Sequence, residues 1–184
     1  DPDFASQFSF GGLTVTGNIF TANNVVSAFC WLVVTPRGAG HYLHGISITG
    51  NTFRTLNGAI ARVEKVDTTW SDLDYSRFRN LTVHGNNFNG VTTAFQNPLT
   101  LRHVQNAEAP VWTVNSLGLL PFGGRARVVS AVVADGAITQ GAVTRYEMPA
   151  TQNLQGGDQA SVNLRWPVSC KGATWVTLRA DSPT

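Results

Sequence analysis

The chain has 184 residues, of which 42% are hydrophobic and only 13% are charged, against about 25% charged residues in a typical soluble domain. Its 13 basic and 11 acidic residues leave a formal net charge of +2 without a Lys/Arg cluster, which argues against nucleic acid as a partner. No apolar run reaches the length of a membrane span, so we also expect no membrane insertion. The low charge predicts that much of the surface faces other chains, other coils or a polysaccharide.

Three segments of the chain, residues 12–20, 45–53 and 80–88, share one pattern, in which apolar and polar residues alternate and Gly-Asn-x-Phe follows. Corresponding glycines are separated by 33 and then 35 residues, as measured over Gly17, Gly50 and Gly85. A period of this length is typical of stacked-repeat architectures. The alternation predicts a strand with one buried face, and the Gly-Asn pair predicts a bend.

One strand, one bend and one buried aromatic residue per coil predict a right-handed parallel β-helix of about three to four coils. Stacking should form a ladder of asparagine amides, made of Asn18, Asn51 and Asn86. It should also stack three aromatic rings, those of Phe20, Phe53 and Phe88. We expect these residues to hold the fold rather than to carry chemistry. Residues 99–104 alternate again and are predicted to form a shorter last coil.

After Asn106 the repeat disappears, and short strand-like pieces separated by turn signals predict a small antiparallel β-sandwich. The predicted strands cover residues 111–114, 126–133, 142–148, 161–166 and 174–179, and Lys171-Gly172 is one of the predicted turns between them. We therefore predict two domains, with residues 1–105 as coils of the β-helix and residues 106–184 as the antiparallel β-domain. Tryptophans of the second domain form either its core or a recognition surface, and these are Trp112, Trp166 and Trp175.

The first repeat begins almost at once, without the polar cap that natural solenoids place over their open strand edges. We therefore expect these residues to be the distal part of a longer protein. Cys30 and Cys170 are the only cysteines and lie 140 residues apart. Their spacing is not that of metal ligands, and they are predicted to be two buried free thiols.

Repeats bearing Gly-Asn-x-Phe, followed by a small β-domain in a chain with few charges, resemble the spike and fibre proteins of tailed bacteriophages and the head spikes of phage-like gene transfer agents. The resemblance implies a protein on the surface of a virion or phage-like particle that attaches to host cell-surface polysaccharide. Such proteins are usually homotrimers and assemble with other spike subunits. Because pectate-lyase-like and polygalacturonase-like β-helices share the motif, two alternatives stay open, a polysaccharide-degrading hydrolase or lyase and a purely structural trimeric spike tip.

The densest acidic region of the chain also carries aromatic residues, and it comprises Glu64, Asp67, Trp70, Asp72, Asp74 and Tyr75. Since a sugar ring can stack on an indole while its hydroxyls meet carboxylates, we predict a carbohydrate-binding loop formed by Trp70, Asp72, Asp74 and Tyr75. The alternative is a solvated loop in which Asp72 and Asp74 cap turns and pair with Arg77 or Arg79. Glycan cleavage requires two carboxylates about 5–9.5 Å apart, and without a hydrolase motif we assign no catalytic residue.

No metal site or cofactor is predicted, because nothing in the sequence forces several ligands to converge. The histidines are expected at the surface or in the stack, at His41, His44, His84 and His103. The homotrimer is predicted to form along the flanks of the β-helix and through the strands of residues 126–148. There, both faces of one strand carry valine, at Val128, Val129, Val132 and Val133.

Overall fold

The computed structural model describes residues 9–182, and its fold is all-β, which confirms the predicted class. The chain divides into two compact units. The first unit comprises Asp1–Asn97, Gly118–Gly124 and Ala180–Thr184, and the second comprises Pro98–Leu117 and Arg125–Arg179. Within residues 9–182, no helix is both long enough and apolar enough to cross a membrane.

The described part of the first unit has nine strands in three parallel sheets. They are β1 (Ser9–Gly11), β2 (Thr14–Thr16), β3 (Ile19–Asn23), β4 (Leu32–Val34), β5 (Tyr42–Thr49), β6 (Thr52–Leu56), β7 (Glu64–Val66), β8 (Arg79–His84) and β9 (Asn87–Asn89). Each repeat pairs with the next in parallel register, so that β2, β5 and β8 align Val15, Ile48 and Val83. In the same way, β3, β6 and β9 align Phe20, Phe53 and Phe88.

The asparagine ladder predicted from the repeats is present. Oδ1 of Asn51 accepts a hydrogen bond from the backbone nitrogen of Asn18 at 2.9 Å, and Oδ1 of Asn86 accepts one from the backbone nitrogen of Asn51 at 2.9 Å. The Asn51 side-chain nitrogen donates to Oδ1 of Asn86 and to the Val15 carbonyl, both at 2.9 Å. Asn51 is completely buried, and these bonds satisfy its polar groups as burial requires.

The three phenylalanines also stack as predicted. The ring centroids of Phe20 and Phe53 lie 4.8 Å apart with an interplanar angle of 7°, and those of Phe53 and Phe88 lie 5.8 Å apart at 10°. Phe53 is fully buried in the core cluster of the unit. The repeat therefore places equivalent side chains on one another, so each repeat buries the apolar face of its neighbour.

The last repeat is covered by other segments of the first unit. The Leu81 backbone nitrogen donates to Oδ2 of Asp181 at 2.8 Å, and the Asn97 side-chain nitrogen donates to the Leu81 carbonyl at 2.7 Å and to Oδ1 of Asp181 at 2.8 Å. In the first repeat, Leu13 is 43% exposed and Ile19 is 78% exposed. The predicted lack of a cap before this repeat concerns residues 1–8, which lie outside the described residues.

The second unit is one antiparallel sheet organised on its longest strand, β15. Its strands are β10 (Leu99–Asn115), β11 (Val128–Ala134), β12 (Ile138–Gln140), β13 (Val143–Arg145), β14 (Ala150–Gln155) and β15 (Ser161–Arg179). β10 pairs with almost the whole of β15, while β11 pairs with its second half and β14 with its first half. β12 pairs with β13 and forms one bridge to β15.

Two strand predictions need correction. Residues 99–104 belong to β10 and pair antiparallel with β15, because alternation reports one buried face and leaves the pairing partner undetermined. Residues 161–166 and 174–179 form a single strand, so Lys171-Gly172 is not a turn. Gly172 has φ of 150°, and a Cβ there would lie 2.9 Å from the Ala137 carbonyl oxygen. The glycine serves a close approach of two chain segments.

The predicted domain boundary near residue 105 stays a prediction, and β10 runs through that position without interruption. Both cysteines are free. Cys170 is buried as predicted, whereas Cys30 is only half-buried. Burial raises the pKa of both thiols above the ordinary cysteine value.

Candidate functional site

The predicted sugar-binding loop follows β7 and precedes β8, and it ends in a 3-10 turn at Tyr75–Arg77. Trp70 is 64% exposed and Asp72 is exposed, whereas Asp74 and Tyr75 are half-buried. Between them, Leu73 is buried in the core of the first unit and anchors the loop. The indole of Trp70 is therefore exposed to solvent, on a loop that Leu73 anchors to the core of the first unit.

The two carboxylates of the predicted site, those of Asp72 and Asp74, hold the backbone of the loop in place. Oδ1 of Asp72 accepts hydrogen bonds from the Leu73 backbone nitrogen at 2.7 Å and from the Tyr75 hydroxyl at 3.0 Å. Oδ1 of Asp74 accepts from the backbone nitrogen of Ser76 at 3.0 Å and from its hydroxyl at 2.5 Å. Asp74 thereby caps the 3-10 turn. Sugar binding by Trp70, Asp72, Asp74 and Tyr75 stays a prediction, in which the two acids shape the loop.

Two arginines lie over aromatic rings next to the loop. The guanidinium carbon of Arg37 is 5.3 Å from the centroid of the Trp70 ring, and that of Arg77 is 4.0 Å from the centroid of the Tyr42 ring. Nη1 of Arg77 also donates to the Gly40 carbonyl at 3.0 Å. Such cation–π contacts orient an aromatic ring while leaving much of it accessible. Arg37 was not among the predicted site residues, since only the fold brings it to Trp70.

Glu64 occupies a different environment from the other acids of this region. It is almost completely buried, and its Oε1 accepts hydrogen bonds from Nε of Arg62 at 2.9 Å and from the Phe122 backbone nitrogen at 3.2 Å. Burial raises the pKa of Glu64, and this effect outweighs the opposing charge of Arg62. Phe122 has φ of 54°, a conformation that is unusual for a bulky residue. Glu64 thus stabilises the Pro121–Gly123 turn rather than joining the exposed acids.

The described residues contain no group of three or more His, Cys, Asp or Glu side chains that could hold a metal ion. His41 is buried, with its ring 5.6 Å from that of Phe10. His103 lies 5.9 Å from the Trp112 ring, and burial lowers its pKa. His41 and His103 therefore pack against aromatic rings.

The described residues of each unit also form a concave region that the sequence did not predict. In the first unit, a cavity of about 500 Å³ lies beside the first repeat and has an apolar lining that includes Phe10, Leu13 and Trp31. In the second unit, a cavity of about 180 Å³ is lined in part by Trp166 and Thr174. The signal for the second cavity is the group of tryptophans and arginines in residues 112–175, whose role the sequence left open between core and recognition.

Two of these tryptophans lie in the core of the second unit, and the third is exposed and available for recognition. Trp112 is fully buried and Trp166 nearly so, with ring centroids 4.8 Å apart, whereas Trp175 is 42% exposed.

No protein-family model, curated protein or solved structure matches the chain. The functional argument therefore starts from the exposed Trp70 loop of the first unit and the exposed Trp175 of the second.

Proposed function

We propose that the protein is a spike or fibre protein on the surface of a virion or phage-like particle, and that it attaches to host cell-surface polysaccharide. In this proposal the first unit is part of a right-handed parallel β-helix and the second is a small antiparallel β-sandwich. The in-register parallel repeats and the antiparallel sheet around β15 support the two halves of that architecture. Because fold alone does not determine function, the attachment role needs a site.

The exposed ring of Trp70 is the observation that carries the attachment role. The indole of Trp70 is 64% exposed on a loop held by side-chain hydrogen bonds, although tryptophan is highly buried on average in folded proteins. The bond between Tyr75 and Asp72 fixes the loop, and Arg37 lies over the Trp70 ring. An ordered aromatic face gives the CH groups of a sugar ring an apolar platform at little cost in conformational entropy. Nearby Asp72 and Arg37 supply hydrogen-bonding groups for its hydroxyls.

The test is retention of purified surface polysaccharide by the wild-type protein and by Trp70→Ala. We expect the substitution to weaken retention about tenfold or more, as aromatic anchors at binding sites do. Ile19→Ala is a matched control, because Ile19 is even more exposed but lies on β3. Equal retention by wild type and Trp70→Ala would remove the loop from the proposal.

A reducing-end release assay run on the same samples separates attachment from cleavage. We expect Asp72→Asn and Asp74→Asn to weaken retention, since each alters a carboxylate that shapes the loop. We expect no release of reducing ends by the wild type or by any of the variants. Robust hydrolysis that both substitutions abolish would replace the attachment role with that of a polysaccharide-degrading enzyme.

The proposed assembly is a homotrimer with contacts along the flanks of the β-helix and through residues 126–148. Val133 and Val143 in this region are 57% and 56% exposed, and β11 pairs with β15 along one edge only. Apolar side chains beside an open strand edge are typical of surfaces that another chain covers. Threefold symmetry would also repeat a weak sugar site and raise avidity.

Light-scattering mass tests the homotrimer directly. We expect a trimeric mass for the wild type and for Leu117→Glu, which places a charge on an exposed residue outside the 126–148 segment. Val133→Glu should shift the mass towards the monomer, because it buries a charge in the proposed contact. A monomeric wild type at micromolar concentration contradicts the trimer.

The inward-facing end of the first repeat is the proposed contact with further coils of the spike or with another spike subunit. Leu13 is 43% exposed there, while the equivalent Ile46 in the second repeat is almost fully buried. A further parallel strand set in the same register would cover Leu13 in the way that the second repeat covers the third.

A further inference from the structure

The outer side of the sheet in the second unit, which faces away from the buried residues, is polar along the first half of β15. There, Asn163 alternates with the buried Val162 and Leu164. It lies directly between Thr113 of β10 and Gln152 of β14, and its Oδ1 accepts a hydrogen bond from the Thr113 hydroxyl at 2.9 Å. This half follows the ordinary pattern of an antiparallel sheet, in which one side is packed and the other is solvated.

The second half of β15 departs from that pattern, because its outer side is largely apolar. Trp175 alternates with the buried Val176 and lies directly opposite Arg102 of β10 and Val133 of β11. Side chains directly opposite each other on antiparallel strands share one side of the sheet, as does Val104, two residues beyond Arg102. Val104, Trp175 and Val133 are 44%, 42% and 57% exposed. We define the Trp175 face by Arg102, Val104, Ala131, Val133, Asp135 and Trp175.

The two charges of the Trp175 face neutralise each other. Nε of Arg102 lies 2.6 Å from Oδ2 of Asp135. Hydrogen bonds from Arg102 and, to a lesser extent, from the Trp175 side chain lower the pKa of Asp135, so its carboxylate is ionised at neutral pH. A face without net charge does not attract a charged partner over a distance. Identical copies of it can meet without the repulsion that like charges would cause.

We propose that the Trp175 face is the surface through which three copies of this chain meet around a threefold axis. The inference rests on the homotrimer of the proposed function and names the side chains of its contact in the second unit. Because β15 lies between β10 and β11 here, Trp175 is central and lies nearest the axis. The flanks of neighbouring copies then come together, so Val104 of one copy packs against Val133 of the next.

Three further features of the Trp175 face suit a contact with another copy. Tryptophan and arginine are the residues most enriched where interface side chains become buried. The hydrogen bonds to Asp135 already hold Arg102 and Trp175 in place, which reduces the entropy lost when the copies meet. The face is also continuous with the contact proposed through residues 126–148, which contains Val133. Val104 and Trp175 extend that contact onto β10 and β15.

Light-scattering mass of the full chain at micromolar concentration tests the proposal with Trp175→Glu and Val104→Glu, both outside residues 126–148. Each substitution places an unpaired charge in the proposed contact, so we expect the mass to fall threefold from that of the wild type. Trp175→Phe keeps an aromatic ring and should stay trimeric. Thr113→Glu is the matched control, because Thr113 is exposed on the outer side of the polar half, and it should also stay trimeric. Circular dichroism of each variant verifies that it is folded.

The outcomes separate this inference from the proposed function. A trimeric wild type whose folded Trp175→Glu and Val104→Glu variants are also trimeric overturns the Trp175 face and leaves the homotrimer standing. A monomeric wild type overturns both. Dissociation of Thr113→Glu as well would show that any added charge on this side disrupts the assembly, and it would remove the assignment to the Trp175 face. If Trp175→Glu stays trimeric but retains less surface polysaccharide, the face binds glycan and the inference is wrong.

Discussion

The two units stabilise their strands by different arrangements of the chain. In the first unit, each strand meets an equivalent strand from the next repeat, so Phe20, Phe53 and Phe88 lie in one stack. In the second unit, one strand of 19 residues, β15, pairs with four different partners that are unlike one another. A repeat therefore distributes stability over similar contacts, whereas the second unit depends on the integrity of one strand.

Substitution of Phe53 should disrupt the aromatic stack of the first unit most, because Phe53 contacts both other rings. Phe53→Ala should lower the free energy of unfolding by about 3–5 kcal/mol, because it leaves a cavity between two stacked rings. Urea denaturation followed by circular dichroism measures the effect. Ile19→Ala, at an exposed position of the neighbouring strand, should change the stability by less than about 0.5 kcal/mol. A loss below about 1 kcal/mol for Phe53→Ala would contradict the parallel register.

The hydrogen bonds of the ladder give the next largest effect. Asn51→Ala should cost about 3 kcal/mol, since it leaves the Val15 carbonyl and the groups that it bonds on Asn18 and Asn86 without their partner. Asn18→Ala removes the same side chain at the exposed end of the ladder and should cost less than about 1 kcal/mol. Equal costs for the two substitutions, measured by the same denaturation, would show that burial does not set the strength of the ladder.

The equivalent test in the second unit is Trp112. Its Nε1 donates to the carbonyls of Ala109 at 3.1 Å and Cys170 at 3.2 Å, where the pairing of β10 and β15 shifts register. Trp112→Phe leaves both carbonyls without this donor and should cost about 2 kcal/mol. Trp175→Phe, at an exposed position, should cost less than about 0.5 kcal/mol. If Trp112→Phe is as mild as its control, Trp112 does not hold the irregular part of the long strand pair.

The same contrast explains how far the fold could be predicted. The ladder and the aromatic stack were predictable, because a period of 33–35 residues places like residues together without further information. In the second unit, alternation identified buried faces, but residues 99–104 were assigned to the wrong kind of sheet. Pairing across a long sequence separation is a property of the whole chain. Gly172 was taken for a turn, since the close approach of Ala137 is a tertiary contact.

Individual residues of the candidate sites were only partly predictable for a related reason. The sequence brings Trp70, Asp72 and Tyr75 together locally, and the bond between Tyr75 and Asp72 follows from their spacing. Arg37 reaches Trp70 only through the stacking of repeats. The cavity of the second unit joins residues of β11, β12 and β15 with the 144–148 segment, and no local pattern marks such a combination.

The smallest expected effect is on the pH dependence of stability, in which the buried carboxyl of Glu64 should differ from the acids at the surface. Because burial raises the pKa of Glu64 in the folded state, the folded protein holds this proton more tightly than the unfolded chain does. Stability from this group is therefore complete below the ordinary glutamate pKa and is lost as the pH rises through the folded-state pKa. Glu64→Gln keeps an acceptor oxygen for the Phe122 nitrogen and has no proton to lose.

We therefore expect wild type and Glu64→Gln to have similar stability at acidic pH, and the wild type to lose stability relative to the variant as the pH rises towards neutrality. Asp67→Asn is the matched comparison of opposite sign. Hydrogen bonds from Thr69 lower the pKa of this half-buried acid, so its contribution is present above the ordinary aspartate pKa and is lost as the pH falls. Urea midpoints at several pH values measure both trends. A Glu64→Gln difference that is constant with pH would show that Arg62 keeps Glu64 charged in the folded protein and that burial does not dominate its pKa.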